Sequence, residues 1–87
     1  MTLSLTTWFV YILQCGDGSL YTGVTTSLDR RLHEHNHLKC GAKYTRTRRP
    51  VILVYNEEQT NRSNACKREY QLKQLTRDQK LQLINRR

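Results

Sequence analysis

No stretch of this 87-residue chain approaches the roughly 18 consecutive apolar residues that a membrane-spanning helix needs. Met1 to Thr7 has neither a basic start nor a long apolar run, so a chain that neither spans a membrane nor is secreted is expected, with a cytoplasmic location. Cysteine is scarce and badly placed for cross-linking. Cys15, Cys40 and Cys66 are odd in number, widely spaced and without a Cys-x-x-Cys, which argues against a disulfide framework or a zinc site and suits reduced thiols. Internal repeats and low-complexity segments are missing too. The length leaves room for one domain, expected over 1–87 with its core at about 8–84, whose stability is a small difference between large terms.

Acidic residues are also in short supply. Seven Asp and Glu face fifteen Lys and Arg, giving a net charge of +8. The excess is uneven: residues 1–43 hold four basic and three acidic side chains, residues 44–87 eleven and four. Such asymmetry is the footprint of a polyanion partner, most simply nucleic acid, whose condensed counterions are released when Lys or Arg replaces them. The plain alternative is a well-solvated basic surface. A mean hydropathy of −0.76 indicates a very polar exterior, yet the 37% hydrophobic share and the alternation of apolar runs with turn signals argue against disorder.

Trp8 to Cys15 reads as a strand with Phe9, Tyr11, Leu13 and Cys15 on one face and Trp8, Val10 and Ile12 on the other. Both faces are largely apolar, as in a central strand. Gly16-Asp17-Gly18-Ser19 then turns the chain, and Leu20 to Val24 returns to complete an antiparallel hairpin. Ser27 is placed to cap a helix from Leu28 to about Leu38, with Asp29 in its first turn. Lys39 to Arg49 has five basic residues, Tyr44 and little apolar pattern, and is expected to be an irregular basic loop. Pro50 ends it. Val51 to Tyr55 reads as a third strand that Asn56-Glu57-Glu58 interrupts, and two helices follow, from about Arg62 to Leu75 and from Arg77 onwards, separated by a Thr76/Gln79 capping box. The order strand, strand, helix, strand, helix, helix predicts an α+β domain with a small antiparallel sheet.

On the first helix Leu28, Leu32 and His35 share a narrow sector with Arg31 at its edge, so Arg31 and His35 border the core-facing stripe. On the later helix Glu69 falls near the middle of a stripe of Ala65, Cys66, Leu72 and Lys73, which aims a carboxylate inward. An inward carboxylate demands a cation. The ordinary partner is Arg31 or Arg68; the chemical one is a divalent metal, and Mg²⁺ accepts one or two carboxylates and completes its shell with water and phosphate oxygens. Tyr11 or Tyr21 and His35 could then deprotonate an attacking water while Arg31 holds the remaining charge. Taken singly, each has a duller role as strand aromatic, solvated arginine or packed histidine. His33 and His37 flank His35, but residues two apart on a helix diverge, so the three cannot meet on one ion and the outer two are assigned to the surface.

Together Tyr11, Tyr21-Thr22-Gly23, Arg31, His35 and Glu69 resemble the GIY-YIG nuclease superfamily, over nearly the whole chain from Trp8 to about Ile84. The similarity is greatest to small stand-alone bacterial members that consist of this domain alone, with Gly41-Ala42-Lys43-Tyr44-Thr45 and Tyr70 to Leu75 as further similar stretches. The resemblance implies a central three-stranded antiparallel sheet flanked by helices, and cleavage of DNA phosphodiesters with one divalent ion, Mg²⁺ or Mn²⁺. By the same resemblance Tyr21 stands near the scissile phosphate, Arg31 stabilises phosphate charge, Tyr11 and His35 complete the set and Glu69 binds the metal. Position alone leaves the base open among Tyr11, Tyr21 and His35. Phe9-Val10 replaces the name-giving Gly-Ile, and Val24 stands where some members carry a lysine. With no attached DNA-binding domain, substrate choice is expected to come from Lys43, Tyr44, Arg46, Arg48 and Arg49, from a protein partner or from the shape of the nucleic acid. The alternative is a non-catalytic module that keeps the fold and binds nucleic acid or a partner.

Overall fold

The computed structural model describes residues 6–86. Strands β1 (Trp8–Gln14), β2 (Leu20–Thr25) and β3 (Ile52–Gln59) form one antiparallel sheet in the order β2-β1-β3, so β1 is central as its two apolar faces require. Helices α1 (Leu28–His37), α2 (Lys43–Arg46), α3 (Arg62–Lys73) and α4 (Arg77–Asn85) complete the α+β architecture.

The alternation along β1 divides the interior in two. Val10 and Ile12 join Tyr55, Ala65 and Leu72 in one cluster, which Leu83 and Ile84 of α4 border. Tyr11, Leu13 and Cys15 join Val51 in the other, closed by Tyr21 of β2 and by Leu28 and Leu32 of α1. A helix layer therefore covers each face. The hairpin turns at Gly18, whose φ of +87° is open to glycine at no steric cost. Ser27, Asn61 and Thr76 cap α1, α3 and α4, and at Thr76 the capping box with Gln79 is complete.

Two expected elements differ. Lys39 to Arg49 is not irregular throughout: Ala42 O accepts from Thr45 Oγ1 at 2.9 Å and from Arg46 N at 3.2 Å, and these bonds wind α2. The third strand continues through Asn56-Glu57-Glu58 because Tyr11, Val10 and Phe9 of the central strand pair with those residues. Tertiary pairing overrides their weak strand preference. Glu57 is further held by Arg68, with Nε to Oε1 at 2.9 Å.

Candidate functional site

β1 presents Tyr11 and β2 presents Tyr21 on the sheet face that α1 covers, and His35 descends from α1 between them. The His35 ring lies 5.9 Å from the Tyr11 ring and 5.2 Å from the Tyr21 ring, edge-on to both. His35 is fully buried, deeper than the stripe-border position expected of it. Tyr11 reaches it because its cross-strand neighbour is Gly23: a Cβ there would stand 2.5 Å from the Tyr11 hydroxyl oxygen. The glycine is thus the space the phenol occupies.

One imidazole tautomer satisfies the two short contacts of the ring. Thr45 Oγ1 donates to Ala42 O at 2.9 Å, which leaves it to accept from His35 Nδ1–H at 2.8 Å. Nε2 is then the acceptor for the Tyr11 hydroxyl at 2.9 Å. Ala42 N lies 3.4 Å from Nδ1, at the limit of a hydrogen bond, and as a donor it has no pair in Nδ1–H, so this tautomer leaves that long contact out. Burial pushes the His35 pKa down to about 4, with help from the positive charges of Arg31 and Arg49 and against the pull of Glu34. Burial likewise pushes the Tyr11 phenol up to about 12, opposed by a hydrogen bond and charge from Arg31 and reinforced by Tyr21 and Glu69. At neutral pH both groups are uncharged, and Tyr11 O–H donates to a neutral imidazole.

Arg31 is half-buried beside this pair. Its Nη1 donates to Glu34 Oε1 at 2.8 Å and to Cys40 O at 3.0 Å, so its plane is held by the helix and by the segment after it. Glu69 approaches from α3, near enough for its charge to act on the Tyr11 phenol. Neither expected arginine pairs with it: Arg31 is taken by Glu34 and Arg68 by Glu57, and Lys73 stands 3.1 Å from Glu69 Oε2. Of the stripe expected around Glu69, Ala65 and Leu72 are buried, whereas Cys66 and Lys73 are exposed, because α3 is covered by the sheet along one side only. Glu69 sits at the edge of the buried stripe, 22% exposed. That is where a carboxylate can meet both the interior and an incoming ligand.

The basic segment borders the same place. The Tyr44 ring stacks on that of Tyr21 at 5.9 Å, and the Arg48 guanidinium covers Tyr44 at 3.9 Å while pairing with Asp17 at 3.2 Å. Lys43 and Arg46 are exposed. Arg49 is occupied inside the fold: its Nε donates to His35 O at 2.6 Å, and its Nη2 to Leu38 O at 2.6 Å and Glu34 O at 3.5 Å, closing the carbonyl end of α1. Sequence reasoning assigned no role to Thr45, whose signal was its place at the end of the family-like stretch Gly41-Ala42-Lys43-Tyr44-Thr45. Among the described residues no three His, Cys, Asp or Glu side chains gather as a metal cluster, and no helix is long and apolar enough to cross a membrane.

Residues 7–82 match the family model described as the GIY-YIG catalytic domain. A UPF0213 protein of Desulfotalea psychrophila is 58% identical over 77 residues, covering 88% of this chain and 70% of that protein. A UPF0213 protein of Staphylococcus haemolyticus is 53% identical over 79 residues, covering 91% and 95%. The solution structure of a UPF0213 protein from Bacillus halodurans is 46% identical with a TM-score of 0.58, and that of a protein from E. faecalis is 46% identical with a TM-score of 0.62; each alignment covers 91% of this chain and 83% of the other.

Proposed function

The chain belongs to the GIY-YIG family, and from that premise we propose that it is an endonuclease hydrolysing DNA phosphodiester bonds with one divalent ion, Mg²⁺ or Mn²⁺, held by Glu69. The observation that carries the reading is the gathering of two phenols, a neutral imidazole and a guanidinium at one end of the sheet, with the Glu69 charge felt there. The donor set fits the ion. A single hard carboxylate at the edge of the buried surface suits Mg²⁺, which keeps several waters and takes its remaining oxygens from phosphate. When bound, the ion supplies charge neutralisation at the phosphate and leaving oxygen.

The chain's own residues divide the remaining work. Tyr11 and His35 are sealed from solvent and bonded to each other, so they position the site. Tyr21 is half-exposed between His35 and Tyr44, and it is the phenol an attacking water can reach. Arg31, oriented by Glu34 and Cys40 O, faces the charge that develops on phosphate. Lys43, Tyr44 and Arg46 contact the nucleic-acid backbone, joined by Arg48 when it leaves Asp17; Arg49 is excluded by its bonds to α1. Specificity then rests on this short segment or on a protein partner.

A second reading, binding without turnover, is favoured by the Glu69–Lys73 ion pair, which occupies the carboxylate. Cleavage assays with Mg²⁺ or Mn²⁺ on duplex, branched and single-stranded DNA separate the two. Wild type is expected to cut at least one substrate, with Glu69→Gln and Arg31→Ala inactive though folded. Equal behaviour of all three on every substrate, with salt-dependent binding retained, establishes the second reading instead.

A further inference from the structure

The outer face of α1 carries His33 and His37, one turn apart and turned away from the site that holds His35. Both are exposed, and among the described residues neither imidazole has a hydrogen-bond partner. Their rings lie 4.8 Å apart between centroids and are tilted by 36°. Two imidazoles sharing one ion must satisfy a simple distance. With metal–nitrogen bonds of about 2.0–2.1 Å and a ring centre about 1.1 Å behind the nitrogen, angles between a right angle and a tetrahedral one place the centroids roughly 4.5–5.2 Å apart. The observed spacing falls inside that interval. From it we infer that His33 and His37 form a two-point chelate for a borderline transition-metal ion, Zn²⁺, Ni²⁺ or Cu²⁺, separate from the ion assigned to Glu69.

Imidazole nitrogen selects these ions over Mg²⁺, which takes oxygen ligands, so the two sites sort metals by donor chemistry. The helix brings the two rings together before metal arrives, and Arg30, one turn before His33, is paired with Glu34 at 3.7 Å. No cluster of three or more ligating residues forms among the described residues, so two protein nitrogens leave the other coordination positions to water or an added ligand. The inference does not depend on the nuclease reading. It does bear on any assay of that reading, because Ni²⁺ or Zn²⁺ offered as a catalytic ion would also load α1.

The test is calorimetric titration of the full chain with Ni²⁺ alone, repeated with Zn²⁺ and Mg²⁺, with the ring proton resonances of His33 and His37 followed during the Zn²⁺ titration. One Ni²⁺ or Zn²⁺ bound through the histidine pair is expected, with both rings shifting together. His33→Ala and His37→Ala should each weaken binding by roughly 100-fold, the gain lost when one of two linked contacts is removed. Their circular dichroism should match wild type, since both side chains are exposed. Cys40→Ser should bind Ni²⁺ like wild type. His33 and His37 rings that do not shift with Zn²⁺, or a Ni²⁺ isotherm that neither histidine substitution changes or that Cys40→Ser abolishes, overturns the inference.

Discussion

Acidification should unfold this protein through one buried ring. His35 is sealed in the fold with its pKa depressed from 6.5 to about 4, and in the unfolded chain the same ring returns to its ordinary value. The sign follows directly. Above pH 6.5 both states hold the neutral ring and the full stability is present; as the pH falls the unfolded state takes up the proton first, and stability drains until the folded ring also protonates near pH 4. At 1.36 kcal/mol per unit, a shift of this size removes about 3 kcal/mol, a large part of the total for a small domain. The carboxylates held low by their partners, Glu34 beside Arg31 and Glu57 beside Arg68, add their own loss only below the ordinary carboxylate range. The interval from pH 6.5 to 4.5 therefore isolates the imidazole. Urea unfolding read by Trp8 fluorescence at fixed ionic strength, in half-unit pH steps, gives the slope, and His35→Gln should flatten it. A ring proton titration of His35 with a midpoint near 6.5, or wild-type stability that stays level between pH 7 and 5, refutes the buried neutral imidazole.

Three further outcomes follow from the same contacts. Thr45→Val keeps the shape but strands His35 Nδ1–H, while Ala42 O keeps its backbone donors, costing about 2 kcal/mol and lowering Tm by roughly 8–16 °C; Thr45→Ser should restore the His35 ¹⁵N tautomer signature that Val loses. Gly23→Ala drives a methyl into the Tyr11 hydroxyl and should cost about 1–3 kcal/mol in urea unfolding while displacing the Tyr11 ring resonances. Arg49→Met should lose about 2 kcal/mol of stability, whereas Arg46→Ala should leave unfolding within about 0.5 kcal/mol of wild type and instead reduce the salt slope of DNA binding by roughly one.

The elements with strong local signals were legible in the sequence. The two-faced pattern from Trp8 to Cys15 identified the central strand, Ser27 and Thr76 marked helix starts, and periodicity placed His35 and Glu69 on inward-tending faces. What escaped depended on contacts distant in the chain. The strand through Glu58 exists because β1 pairs with it, and α2 forms where Ala42 O is met by Thr45 and Arg46. Charge alone assigned Arg49 to phosphate, because nothing in a row of basic residues reveals that one of them faces the carbonyls of a helix formed a dozen positions earlier. The arginine pairing considered for Glu69 fails for a related reason: the wheel gives direction but not which cations have already been claimed.

The segment after α1 is stitched down at several points. Arg49 grips three carbonyls of α1 and its connection, and the Asn36 amide gives Nδ2 to Val51 O at 3.0 Å while Oδ1 takes Val51 N at 2.7 Å. Gly16 N reaches Arg48 O at 2.7 Å, tying the hairpin turn to the same strip. Lys43, Tyr44 and Arg46 consequently ride on a braced platform rather than a tether. Capture of a polyanion then involves little ordering of the backbone, and the entropy lost on binding falls mainly on the long side chains themselves. Association should be limited by diffusion and electrostatic steering rather than by loop closure, so raising the salt should slow the on-rate more than it changes the shape of the bound state.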